Sequence, residues 1–151
     1  MMIKRSAGLL LFRTTNGFVE VFLVHPGGPF YTKKDLGVWS IPKGEFEAEE
    51  PFAAARREFE EETGFTVAGD FIELPAIKQK GGKLVYAWAV EADVDASAIE
   101  SNTFEMEWPP KSGKVQEFPE VDRAEWFDVE TAKKKINPAQ AELIESMLKK
   151  I

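Results

Sequence analysis

Cysteine is absent from the 151 residues. That removes disulfides, thiolate metal sites and thiol nucleophiles together, and it fits a reducing, cytoplasmic setting. Histidine occurs once, at His25, so a zinc site of imidazole and thiolate ligands has almost nothing to draw on. Long apolar runs are missing as well, none approaching the roughly 18 residues that span a bilayer. The opening segment Met1-Met2-Ile3-Lys4-Arg5-Ser6 carries two positive charges, but the apolar run 7–12 behind it is too short for a secretory signal. Positive charge is in deficit: 19 Lys and Arg against 26 Asp and Glu leave a net charge of −7. Surfaces that bind nucleic acid or anionic membrane are basic, so neither is an expected partner. A small phosphate-bearing substrate held through metal ions stays open. No repeat, low-complexity tract or linker divides the chain, and its length suits one domain over residues 1–151.

Hydrophobic residues make up 44% and charged residues 30%, with twelve phenylalanines supplying bulk for a core. Residues 3–13 and 18–25 are apolar and β-branched, and Asn16-Gly17 between them predicts a hairpin. Residues 26–36 form a loop carrying Phe30, Tyr31, Lys33 and Lys34, and a short strand is expected over 38–42, ended by Pro42 and Gly44. The pattern then turns helical over 51–63, with Pro51 suited to the first position and Gly64 to the C-terminal cap. Strands follow over 65–79 and 84–94, joined at 80–83. Residues 95–120 read as irregular. A last short strand over 124–127 precedes helices over 129–136 and 138–148. This order predicts an α/β domain, a mixed sheet with helices on both faces.

The helix at 51–63 is chemically odd. At 100° per residue, Glu58, Glu61 and Glu62 share an arc of about 100°, and Ala54 lies in the same arc one turn earlier, where a methyl leaves room for a ligand. Phe52, Ala55 and Phe59 form the adjoining apolar stripe, while Arg56 and Glu60 point away. Carboxylates three or four apart repel, at roughly 3 kcal/mol for a pair about 6 Å apart at an effective dielectric of about 20. The last turn, where the helix dipole favours cations, holds Glu60, Glu61 and Glu62 instead. Either this is a solvated acidic face, or a divalent cation belongs among the carboxylates. Hard oxygen donors suit Mg²⁺ or Mn²⁺.

The run Arg57-Glu58-Phe59-Glu60-Glu61-Glu62-Thr63-Gly64-Phe65 matches R-E-U-x-E-E-x-G-U, the core of the Nudix box, with U a bulky apolar residue. Pro42-Lys43-Gly44 resembles the segment that leads into the box. The loop between is one residue short: Glu50 satisfies the spacing from the glycine and Glu49 the spacing to the arginine. The resemblance extends along the chain, through Trp39-Ser40-Ile41-Pro42-Lys43-Gly44-Glu45 and Phe118-Pro119-Glu120-Val121-Asp122, and implies a Nudix-type α/β/α sandwich.

By that resemblance, Glu58, Glu61 and Glu62 are the ligands of Mg²⁺, for which Mn²⁺ substitutes, with a backbone carbonyl near Lys43 or Gly44 as a further ligand. Arg57 orients a box glutamate. Glu120, six residues before Trp126, is the further catalytic glutamate, with Glu117 the alternative and Glu105 and Glu107 behind it. The catalytic set is therefore Arg57, Glu58, Glu61 and Glu120. Substrate contacts fall to Lys43, Lys80 and Tyr86, with Lys78 and Lys83 as further phosphate contacts and Phe30, Tyr31, Trp39 and Trp108 as stacking candidates. His25 is a lesser catalytic candidate. The implied activity is Mg²⁺-dependent hydrolysis of a diphosphate linkage in a nucleoside diphosphate joined to another moiety, a dinucleoside polyphosphate or nucleoside triphosphate before ADP-ribose or a nucleotide sugar. A non-catalytic nucleotide-binding sensor is the reading from another class. The implied partner is a small nucleotide, and the chain is expected as a monomer or homodimer.

Overall fold

The computed structural model describes residues 3–151; Met1 and Met2, part of the opening segment weighed above as a signal, lie outside them. Strands β1 (Arg5–Thr15) and β2 (Phe18–Pro26) form the hairpin expected from the sequence. Asn16 and Gly17 take φ of 51° and 83°, the left-handed pair that suits the strands' twist. Strand β3 (Lys43–Phe46) runs antiparallel to the first half of β1, and β4 (Ile72–Lys78) and β5 (Leu84–Glu91) follow as a second antiparallel pair. β5 lies parallel to β1, so the sheet is mixed. Strands β6 (Thr103–Glu107) and β7 (Val115–Pro119) make a separate two-stranded hairpin, and β8 (Val121–Asp128) returns to pair with β2. The main sheet reads β4-β5-β1-β2-β8, with β3 on β1.

Helix α1 (Pro51–Thr63) covers one face, and α2 (Val129–Lys135) and α3 (Ala141–Leu148) cover the other. The apolar run in β1 is continuous because both faces are buried. Ala7, Leu9 and Leu11 pack towards α1 with Ala55 and Phe59, and Leu10 and Phe12 pack with Leu143, Ile144 and Met147. Full burial of Phe59 alone contributes roughly 2–3 kcal/mol. α1 begins at Pro51 and ends where Gly64, at φ 81°, donates to the Glu60 carbonyl at 2.7 Å. Among the described residues, no helix is long and apolar enough to cross a membrane.

Several expectations need correcting. Residues 38–42 form only single bridges, Val24 with Ser40 and Trp39 with Ile136, and the strand starts at Lys43. Pro42 has no N–H to give a ladder, while its carbonyl accepts from Leu9 N–H at 3.2 Å. β4 begins only at Ile72, after the chain bends at Gly69, and β5 ends at Glu91. The stretch read as irregular contains β6 and β7. Pro138–Gln140 is a 3₁₀ turn, so the last helix starts at Ala141. Ala54 leaves no space for a ligand: it is 0% exposed, packed in the core with Ala7, and its small size lets α1 lie close to the sheet.

Candidate functional site

The last two turns of α1 run along the outer edge of β3. Lys43 N–H, at that edge, donates to Glu62 Oε1 at 3.2 Å. One residue on, the absence of a side chain decides the geometry: a Cβ on Gly44 would stand 2.0 Å from Glu58 Oε2. Only glycine lets that carboxylate lie over the strand.

Glu120 reaches the same place through backbone bonds. Asn102 N–H donates to the Glu61 carbonyl at 2.8 Å, Glu120 N–H donates to the Asn102 carbonyl at 2.9 Å, and Gly27 N–H donates to the Glu120 carbonyl at 2.9 Å. The close pass at Gly27 also excludes a side chain, since a Cβ there would lie 2.0 Å from the Pro119 carbonyl oxygen. Glu58, Glu61, Glu62 and Glu120 thus line one cavity of about 330 Å³, together with Gly44 and Asn102, and Lys43 and Lys83 add two positive charges to its wall.

Arg57 ties the acids together. Its Nε and Nη2 donate to Glu49 at 2.9 and 2.6 Å, and its Nη1 donates to Glu58 at 2.8 Å and to Glu61 at 2.9 Å. Of the two glutamates the spacing left open, Glu49 takes the arginine; Glu50 stands at the N-cap of α1 without a side-chain bond. The guanidinium holds the Glu49 carboxyl below its ordinary range and is itself raised by that bond.

Burial pushes the Glu62 carboxyl up to about 8, aided by repulsion from Glu58 and Glu120 and opposed by the Lys43 N–H bond. Burial likewise raises Glu58, against the pull of Arg57, and raises Glu120, with Glu61 adding repulsion. Lys43 is lowered by its own burial and by Lys83. Three acids held above their ordinary range in one cavity are short of positive charge. Among the described residues, no group of three or more acidic or histidine side chains is arranged to hold a metal ion as it stands. Arg57 and Lys43 N–H engage the oxygens instead. The donors nevertheless fit a hard divalent ion in kind and in charge: carboxylates crowded into one cavity, with neither sulfur nor imidazole on its wall.

Other candidates lie elsewhere. Lys80 lines an adjoining cavity of about 590 Å³ with Lys4, Lys78 and Lys83. Tyr86 is half-buried and packs edge-on against Phe46, ring centres 6.0 Å apart, outside the carboxylate cavity. Glu117 sits opposite Glu105 on the β6–β7 hairpin, and Glu107 accepts from Lys111 and Gly113 N–H within its turn. His25 is 0% exposed; its Nδ1 meets Asp122 at 2.8 Å and its Nε2 meets the Lys34 carbonyl at 2.7 Å, which fastens the loop after β2. Trp39 belongs to the core, while Phe30 and Trp108 meet edge-on at 5.3 Å near the surface. Asn102, Glu45 and Ser6 line the carboxylate cavity and were not singled out from sequence. Asn102 has no local signature, because a backbone bond from a distant segment brings it in.

A model of the NUDIX domain family matches residues 2–147. No curated protein matches the chain. Among solved structures, the chain is similar to a Caenorhabditis elegans Ap4A hydrolase in a binary complex, at 23% identity and TM-score 0.66, covering 97% of this chain and 96% of that one. The NUDIX domain of Shewanella oneidensis NrtR, complexed with ADP ribose, is similar at 15% identity and TM-score 0.70 over 99% and 89%. A mutT/nudix family protein from Listeria innocua is similar at 15% identity and TM-score 0.64 over 99% and 95%. At these identities the likeness to solved structures is one of fold.

Proposed function

The chain belongs to the NUDIX family, and we propose that it is a pyrophosphohydrolase that requires Mg²⁺ and cleaves the diphosphate linkage of a dinucleoside polyphosphate or nucleoside triphosphate. The observation that carries this reading is the single cavity in which Glu58, Glu61, Glu62 and Glu120 face Lys43 and Lys83. Glu58, Glu61 and Glu62, with the Gly44 carbonyl, would hold the cation. Bound there, Mg²⁺ supplies charge neutralisation for the diphosphate and for the leaving phosphate.

The chain's own groups do the rest. Arg57 fixes the rotamers of Glu58 and Glu61 by charge-assisted bonds, so neither carboxylate must be ordered when substrate arrives. Glu120 enters the cavity from the turn between β7 and β8, and its carboxylate accepts the proton of the attacking water; burial raises it above the ordinary carboxylate range, which makes it a stronger base. Lys43 and Lys83 donate to phosphate oxygens. The adjoining lysine-lined cavity, shared through Lys83, extends positive charge beyond one phosphate and supports a longer polyphosphate over ADP-ribose or a nucleotide sugar.

The test is a panel of dinucleoside polyphosphates, nucleoside triphosphates, ADP-ribose and nucleotide sugars, assayed with Mg²⁺ or with EDTA in isotopically labelled water, products identified by mass. The reading expects polyphosphate turnover that EDTA abolishes, with label in one phosphate product. Tight nucleotide binding without turnover would instead indicate a sensor domain, and exclusive cleavage of ADP-ribose would reject the substrate assignment.

A further inference from the structure

Ser6 is 0% exposed, and its Oγ is the one buried side-chain nitrogen or oxygen among the described residues without a hydrogen-bond partner. The residue lines the carboxylate cavity. A buried hydroxyl with no partner is destabilising, and alanine would remove the cost with little change in shape. The surrounding strands take alanine freely, at Ala7, Ala87 and Ala89, all buried. The described residues offer the hydroxyl at this position no partner.

Strand register says what surrounds it. Ser6 pairs with Glu45 of β3 and with Val85 of β5, so these side chains share one face of the sheet. Lys43 lies two residues from Glu45 on the same face, paired with Gly8, and Lys83 lies two residues before Val85. Lys83 Nζ stands 3.8 Å from Glu45 Oε2, an ion pair without a hydrogen bond, and no hydrogen bond joins Glu45 to Ser6. Ala7, Gly44 and Tyr86 face the other way, towards α1. The cavity therefore has the α1 carboxylates on its helix side and, on its sheet side, a buried hydroxyl on the same face as Lys43, Glu45 and Lys83. Ammonium groups cannot accept a proton from Ser6. A phosphate, rich in acceptor oxygens and doubly charged, would satisfy all three donors at once.

We propose that the Ser6 hydroxyl, with Lys43 and Lys83, seats a non-bridging phosphate oxygen of the substrate, which makes Ser6 a substrate-binding residue on the sheet side of the cavity, away from the α1 carboxylates. The inference rests on the pyrophosphohydrolase reading above. The contact is present in both ground and transition states, so its loss raises KM and leaves kcat nearly untouched.

The experiment compares the full chain with Ser6→Ala and Ser6→Cys, the latter keeping the volume and losing the strong donor. Melting midpoints are read without metal and with Mg²⁺ plus inorganic pyrophosphate, and KM and kcat are read on diadenosine tetraphosphate. Ser6→Ala is expected to melt at or above the parent without ligand, to lose most of the pyrophosphate-induced rise, and to show KM raised about tenfold with kcat within about twofold. A purely structural serine would give the opposite: both variants melting well below the parent with KM unchanged, which overturns the proposal. Parent-like KM together with a parent-like pyrophosphate shift overturns it too. Should the parent hydrolyse nothing, yet pyrophosphate still stabilise it and not Ser6→Ala, the phosphate seat stands and the hydrolase reading falls. Absence of any shift in the parent overturns both.

Discussion

Replacing Glu62 by glutamine separates the cost of the crowded carboxylates from their use. Burial pushes the Glu62 carboxyl up to about 8 in the folded chain, against an ordinary value of 4.5. Between these values the folded state binds a proton that the unfolded state has released, so stability must fall as pH rises through that window. Its full extent corresponds to on the order of 5 kcal/mol, lost by the time the pH passes about 8. The lowered acids Asp35, Glu49 and Asp128 act the other way, but their contribution is already present above the ordinary carboxylate range and is lost only below it. In Glu62→Gln the side chain keeps its size and its acceptor for Lys43 N–H, and cannot ionise. Urea unfolding of the metal-free chain from pH 5 to 9 is the assay. The parent should lose several kcal/mol across the range, whereas Glu62→Gln should keep only the shallower slope due to Glu58 and Glu120. Near pH 8.5 the variant should be the more stable protein, and near pH 5 the two should agree. Mg²⁺ should then restore the parent and help the variant less. A parent whose stability is flat or rising from pH 5 to 8, or a variant less stable at pH 8.5, refutes the reasoning.

Gly44→Ala places a methyl against the flexible end of Glu58, so the carboxylate is pushed out while the fold survives. Urea unfolding should shift by less than about 2 kcal/mol and kcat/KM should fall at least about tenfold. Arg57→Lys keeps the charge but loses the fork that holds Glu49, Glu58 and Glu61 together, and steady-state kinetics should show roughly a 10- to 100-fold loss. Glu120→Gln should lower kcat roughly 100-fold or more, while Glu117→Gln on the outlying hairpin should behave as the parent. Equal losses in the two variants would place the base elsewhere.

Punctuation made α1 legible, since Pro51 and Gly64 mark the ends that the fold uses, and Asn16-Gly17 marked the first hairpin. β3 was missed because it is four residues long, follows a proline and includes a glycine kept for a close contact and not for strand propensity. β6 and β7 were hidden by Glu105, Glu107 and Glu117, whose charges suit a solvated hairpin, and by the prolines between the strands. Within the cavity, the grouping of the three helix carboxylates follows from helical spacing, and Glu120 follows from the family resemblance, by its place six residues before Trp126. Ser6 and Asn102 depend on cross-strand register and on a backbone bond between remote segments, and neither leaves a trace in local pattern. Lys80 and Tyr86 follow sensible residue-type reasoning, yet the β4–β5 turn and the α1-facing side of β5 carry them away from the carboxylates.

The central claim is that the Glu58, Glu61, Glu62 and Glu120 cavity takes a divalent cation. Manganese titrated into the metal-free chain at pH 8, with free ion counted by electron paramagnetic resonance, tests it most directly. The account predicts saturable binding that Mg²⁺ displaces, weakened at least about tenfold in Glu58→Gln and in Glu62→Gln and unchanged in Glu117→Gln. Binding that is absent in the parent, or equal in all four proteins, contradicts it.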